Sequence, residues 1–444
     1  MTLALLGLWL SVATAAPLTL DAVLASVDER VPELAMAEAK RLEAEGKLLS
    51  KRGAFDPQLK GKAGVYEEVY DRTVAEAALE APLVVGPQLS GGWRLGDGEF
   101  PTYDERKTGK GGELYVRAEI PLLDGLLMPE SRSDLLGAQA KVRYAEADQA
   151  DKRLAIRRKA TEAWAKWVAS GEKRRISKAF VEQTASRQTA LDRGAEEGTQ
   201  SRLDQVDNLR ALEQRRAELA MAEGDLQAAA QALSLWWRDA EGRPIVPSDA
   251  DLPETMELSP PTAVEGDART LAEARPDALR SQALLDQADI ERRRARNAAL
   301  PDLSAVGEGI RPVAEEEVAE LYAGVEVKVS TLFRKERGEL ARAEAATDRT
   351  TELRRGTIDA GTARIEAARA LVARTWEQLE AARTAQEHAA EVVRLERRNF
   401  DLGGGDLFKL LYRESVLVKA RKDVVDAELA HQLALAARAA EEAR

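Results

Sequence analysis

Two short glycine-containing stretches hold the residues whose spacing most invites a chemical reading. RGAEEGTQSRLDQVDN runs from Arg193 to Asn208, and RNFDLGGGDLFKLL from Arg398 to Leu411. Each joins two long helical patterns. Glycine inside a helix costs roughly 1 kcal/mol relative to alanine. Gly198 and the run Gly403, Gly404 and Gly405 therefore mark places where one helix stops and another starts. A glycine-rich loop can also cradle phosphate, but that chemistry needs a preceding strand and a following Gly-Lys-Ser/Thr. Neither is present. The spacing predicts hairpin turns instead. Glycine supplies the positive φ that a helix C-terminus favours. Asp406 is then placed to cap one returning helix and Ser201 the other, with Asp204 three residues on as a capping-box variant.

Other chemistry is sparse. The chain has no cysteine and two histidines, His388 and His431, far apart in helical patterns. That excludes a Cys/His metal site and a Cys-His catalytic pair, and both histidines read as helix-surface residues. No nucleophile–base constellation appears, so no catalytic residue, cofactor or metal is expected and the chain does not read as an enzyme. A net charge of −12 argues against a nucleic-acid partner. Charged residues make up 32% of the 444 and aromatics only 5%. Long runs of Ala, Glu, Arg and Leu read as extended helix or coiled coil rather than one ordinary core.

The elements that must position the glycine turns come in duplicate. Pro32 and Pro57 are separated by 25 residues, as are Pro276 and Pro301. The first proline of each pair opens a helical pattern within a helix near 19–52 or 265–298, and the second leads into a strand region. Gly198 aligns with Gly403, and the residues after Leu135 with those after Leu340. The change of offset leaves about 39 extra residues in the first copy, near 70–111. They form either a large loop or extended strands. A long helical pattern follows in each copy, near 130–195 and 335–400. The glycine turn comes next, then a helix near 201–237 or 406–442. The expected organisation is a signal peptide at 1–15, a first repeat at 16–240, a Pro-rich linker at 241–264 and a second repeat at 265–444. The signal peptide rests on a short apolar run ending in Ala13-Thr14-Ala15. No later segment reaches the length of a transmembrane helix.

Helix lengths set the geometry. A 66-residue helix spans roughly 100 Å, about the length of two of the shorter ones end to end. Antiparallel helical pairs are predicted, with strands at one end and glycine turns at the other. The strands alternate with period two. In GELYVRAEIPLL, Leu114, Val116, Ala118 and Ile120 share a face opposite Tyr115, Arg117 and Glu119. In AGVEVKVSTLF, Val325, Val327 and Val329 share a face opposite Glu326 and Lys328. One apolar and one charged face fits a half-buried sheet. It also fits a membrane barrel, apolar outward and polar inward.

These landmarks resemble the TolC-like outer-membrane efflux family across nearly the whole mature chain. The resemblance rests on four features: the paired Val-Pro-Glu and Arg-Pro-Asp helix starts, Leu300-Pro301-Asp302-Leu303, Ile120-Pro121-Leu122-Leu123, and the two turns. The family's turn reads approximately aromatic-x-x-Gly-x-x-Ser-x-x-Asp. Phe400-x-x-Gly403-x-x-Asp406-x-x-Lys409 and Ala195-x-x-Gly198-x-x-Ser201-x-x-Asp204 are the matching stretches. The resemblance implies a mainly α fold whose long helical hairpins build an α-barrel tunnel. It also implies a homotrimer in which each chain gives four strands to a twelve-stranded barrel in outer-membrane lipid. The helical body would stand in the periplasm of a Gram-negative bacterium. The duct would export drugs, metals or proteins passively in a tripartite efflux or type I secretion system, docked to a periplasmic adaptor and an inner-membrane transporter. The family's second turn carries carboxylates one and two helical turns after its glycine, where this chain has Lys409 and Tyr412. Asp406 is the nearest carboxylate, and Asp204 and Asp207 hold the corresponding places in the first hairpin. The alternative is a periplasmic coiled-coil structural or adaptor protein without a membrane barrel.

Overall fold

The computed structural model describes residues 17–67, 69–101, 107–198, 201–256, 258–262, 266–313, 318–329, 332–402 and 404–443. The expected signal peptide and Gly403 lie outside the described residues. Eight α-helices and six strands follow in the order α1 (Leu20–Arg30), α2 (Pro32–Arg52), β1 (Gln58–Tyr66), β2 (Arg72–Pro82), β3 (Gln88–Gly98), β4 (Glu113–Pro121), α3 (Glu130–Glu196), α4 (Arg202–Ser234), α5 (Ala268–Ala274), α6 (Pro276–Asn297), β5 (Asp302–Pro312), β6 (Glu320–Lys328), α7 (Arg334–Asp401) and α8 (Leu407–Glu441). No described helix is long and apolar enough to cross a membrane.

The two shorter helical patterns are each broken once, at the proline. Val31 and Arg275 are extended, with ψ of 124° and 149°, because a following proline disfavours helical backbone. Pro32 and Pro276 then occupy the first position of the next helix, where the missing N–H costs nothing. Arg275 has a second task. Its guanidinium donates to the carbonyls of Ala440 and Glu441, at 3.1 and 2.5 Å, and pairs with the Glu441 carboxylate at 2.9 Å. A cation thus satisfies the exposed carbonyl end of α8, where the helix dipole is negative.

The chain divides into two compact units. One comprises residues up to Met36, Ala150–Arg275 and Ala360–Arg444 and is helical. Its largest core gathers Val23 and Val27 of α1, Trp164, Trp167 and Val168 of α3, and Leu226 and Leu233 of α4. The indole N–H of Trp164 donates to the Leu18 carbonyl at 3.0 Å. The tryptophans of the helical body are packing residues. His431 departs from the surface expectation. It is fully buried, with Nε2 3.0 Å from the Ser259 carbonyl, Nδ1 3.0 Å from Thr375 Oγ1 and its ring tilted against Trp376. Three polar and aromatic neighbours offset the loss of water that makes buried imidazole unusual. His388 is exposed as expected.

The other unit, Ala37–Gln149 and Pro276–Asp359, contains one antiparallel sheet in the order β1-β2-β3-β4-β5-β6. Six strands replace the expected four. The extra pair, β2 and β3, comes from the inserted residues. Both have the same alternation as their neighbours, and eleven residues of β2 pair with eleven of β3, from Arg72↔Gly98 to Pro82↔Gln88. The insertion brings its own cross-strand partners, so nothing forces it out of the sheet. β4 then pairs β5, with Val116 opposite Gly309 and Arg117 opposite Glu308.

Candidate functional site

The sheet is the first candidate. Paired residues share a face, so the register sorts every side chain. One face carries Leu59, Ala63 and Val65 of β1, Ala75, Ala77 and Leu79 of β2, and Leu89 and Trp93 of β3. It continues through Leu114, Val116, Ala118 and Ile120 of β4, Leu303 and Ala305 of β5, and Leu321, Ala323, Val325 and Val327 of β6. The opposite face carries Lys60, Lys62, Glu76, Arg94, Glu113, Tyr115, Arg117, Glu119, Glu308 and Glu326.

Burial runs opposite to that of a water-soluble sheet. Val116 is 67% exposed, Leu114 51%, and Val325 and Val327 64% each, and Ile120 and Val329 are also exposed. Ala118 is half-buried. On the polar face Tyr115 and Glu308 are each only 8% exposed. Arg94 bridges Glu113 and Glu308, the latter at 2.9 Å, and Arg117 reaches Glu308, Glu119 and Glu326 at 3.5–3.8 Å. The Tyr115 hydroxyl donates to Glu76 at 2.7 Å. The polar layer around Arg94, Tyr115 and Glu308 is thus sheltered, while Lys60, Lys62, Glu76 and Glu326 are exposed; the other face, apolar but for Thr73, Asp97 and Arg311, is largely bare.

The glycine turns are the second candidate. Gly198 has φ +69°, the left-handed conformation expected of a helix end. Ser201 caps α4 by accepting from Leu203 N at 3.1 Å, and Asp406 caps α8 by accepting from Phe408 N at 2.8 Å. Asp204, placed as a capping-box partner by its spacing, is half-buried in the first turn of α4. At the second turn Gly403, the counterpart of Gly198, lies outside the described residues. Gly404 and Gly405 are not in the left-handed region. Gly405 instead sits so close to the end of α7 that a Cβ there would lie 2.7 Å from the Phe400 N and Cα. Its missing side chain serves a close approach, while Asn399 accepts from Gly404 N through its carbonyl at 3.1 Å.

Leu191 of α3 and Leu407 and Leu411 of α8 cluster with Ala211 of α4 and Phe400 of α7, so the two hairpins pack together near their turns. Phe408, Lys409, Tyr412, Leu203 and Val206 remain exposed. Asp207 is half-buried, 3.8 Å from Arg210. A groove of about 250 Å³ between α4 and α8 is lined by Arg210, Arg215, Phe408 and Tyr412, among others. Of the described turn residues singled out in the sequence, Tyr412 lines it.

Sequence reasoning missed the centre of this hairpin pair. Glu414 of α8 is fully buried. It accepts from Gln183 at 2.6 Å, Arg215 at 2.9 Å, Arg397 at 3.1 Å and Arg187. One carboxylate therefore ties α8 to α3, α4 and α7. Arg215 also donates to the Phe180 carbonyl at 3.3 Å and to Thr184, and its guanidinium lies over the Phe180 ring. Burial pushes the Glu414 carboxyl up, but Arg187 and Arg215 outweigh it and hold it below the ordinary carboxylate value. Burial draws Arg187 down despite the same partner. The signal was present in the spacing. Leu407, Leu410, Leu411, Glu414, Leu417 and Val418 form one helical stripe, and Asn208, Leu212, Arg215 and Ala222 another.

No protein-family model and no curated protein matches the chain. Solved structures do. A membrane protein from Pseudomonas aeruginosa superimposes with a TM-score of 0.70 at 16% identity, covering 95% of this chain and 93% of that one. The open state of the Neisseria gonorrhoeae MtrE outer-membrane channel gives 0.70 at 16%, covering 96% and 88%. The Vibrio cholerae outer-membrane protein VceC gives 0.68 at 15%, covering 96% of each. From its helical hairpins to its sheet, the chain has the fold of the TolC-like outer-membrane channels.

Proposed function

We propose that the chain is one subunit of a homotrimeric exit duct in the outer membrane of a Gram-negative bacterium. The observation that carries this reading is the bare apolar face of the sheet. Its strands are 9 or 11 residues long, and a tilted strand needs about 9–11 residues to cross a bilayer. Such a face is stable against hydrocarbon and costly against water. Among the described residues the sheet is open at both edges, and lipid does not tolerate an unclosed edge. Six strands are also fewer than the roughly eight of the smallest membrane barrels, so insertion requires several copies. The full-length fold similarity to outer-membrane channels supports the same reading.

In this duct no residue is catalytic. The helices stand in the periplasm and the polar sheet face lines the passage. The turns at Gly198–Ser201 and Gly403–Asp406 meet a periplasmic adaptor and an inner-membrane transporter, which supplies the energy. Drugs, metals or proteins pass through passively. Fractionation followed by crosslinking tests the assembly. The expected product is a three-chain species in the outer membrane, and a soluble periplasmic monomer would overturn the proposal.

A further inference from the structure

We infer that the outer edges of β1 and β6 are the interface between copies of this chain, and that each copy contributes all six strands to the wall. The inference rests on the outer-membrane reading above. With three copies, the barrel then has eighteen strands.

Three observations carry it. The first is parity. The six strands alternate in direction without exception, so β1 and β6 run opposite ways. A second copy in the same orientation therefore brings its β1 antiparallel to β6, and the ladder continues unbroken around a ring. Among the described residues nothing pairs with the outer edge of either strand. The second is face continuity. β1 presents Leu59, Ala63 and Val65 on the same face as Leu321, Ala323, Val325 and Val327 of β6. The joint leaves the apolar surface uninterrupted. On the polar face β1 brings Lys60 and Lys62, and β6 brings Glu320, Glu326 and Lys328, so a basic edge meets an edge with a net acidic balance.

The third observation concerns the inserted pair. β2 and β3 have the length, alternation and full pairing of wall strands. β1 pairs β2 over nine residues, from Gln58↔Glu80 to Tyr66↔Arg72. β3 pairs β4 from Gln88↔Glu119 to Arg94↔Glu113. Arg94 of β3 completes the polar layer by reaching Glu113 and Glu308. A hairpin outside the wall would give up these partners. At about 4.8 Å between strands and a tilt near 40°, eighteen strands close a barrel roughly 36 Å across, against about 24 Å for twelve. The lumen cross-section is about twofold larger.

The absence of cysteine makes the test direct. Cysteine pairs are scanned across Leu59, Ala63 and Val65 against Leu321, Ala323 and Val325, in full-length protein in outer-membrane vesicles. A second scan sets the same β1 positions against Leu114, Val116 and Ala118 of β4. In the six-stranded sheet β1 and β4 are three strand spacings apart, roughly 14 Å, beyond the 7 Å that a disulfide spans. The expected result is a three-chain ladder from at least one β1–β6 pair and none from β1–β4, with eighteen wall strands counted by electron cryomicroscopy. Within-chain β1–β4 disulfides and twelve wall strands would overturn the inference and leave the duct reading standing. Protein recovered only as soluble monomer would remove both.

Discussion

Glu414 sets the residue scale. One buried carboxylate faces Arg187, Arg215 and Arg397, so its charge holds three cations together. Glu414→Gln keeps the volume and removes that charge. Breaking a buried pair by removing one partner costs about 3–5 kcal/mol, and loss of hydrogen-exchange protection in α8 around Leu407–Val418 is the measurement. The carboxyl titrates below its unfolded value, so its contribution is full above the unfolded pKa and fades as pH falls through the folded one. The parent therefore loses protection in that acid window and Glu414→Gln does not; matching acid profiles would count against the cluster. Asp406→Asn keeps the capping oxygen, so its stability should match the parent. A changed cation preference in single-channel recordings would then assign the charge to the passage, and an unchanged one would leave Asp406 as a cap. Both caps were legible in the sequence because capping is local chemistry. Glu414 was not, since a lone charge on a charged helix reads as solvated until its stripe is traced.

At the scale of the elements, the strand faces follow from period-two alternation. Val116→Arg puts a guanidinium on the bare face, and mid-membrane that costs about 2–4 kcal/mol. Glu119→Arg, three residues on and on the opposite face, should be far milder. Equal insertion of the two variants into lipid would mean that the sheet is not a membrane wall. At the second glycine turn, Gly405→Ala places a Cβ against the Phe400 backbone. The turn must shift, so export should fail while the sheet still inserts; retained export would show that the turn has room to give. The helices were readable nearly to their ends from periodicity and caps. The inserted residues were not, because strand pairing is non-local and a Gly-rich segment such as QLSGGWRLGDG carries a weak pattern on its own. Its partners, Ala77 opposite Trp93 and Ser90 opposite Arg117, appear only once the sheet is assembled.

At the scale of the whole molecule, the duplicated element order and the inverted sheet converge on one account: a shared wall in lipid whose polar face lines a passage. Sequence spacing conveyed the helices, the turns and the faces, and the resemblance supplied the expectation of a shared assembly. Strand number came only from the structure. The central claim is which sheet face meets lipid, and the cysteine-free chain permits one direct measurement. Single cysteines at Val116, Ala118, Val325 and Val327, and at Arg117, Glu119 and Glu326, are exposed to a water-soluble maleimide in outer-membrane vesicles. The account predicts labelling that alternates along each strand, with Arg117, Glu119 and Glu326 reactive and the four apolar positions silent. Labelling of both sets alike, with no alternation, would contradict it.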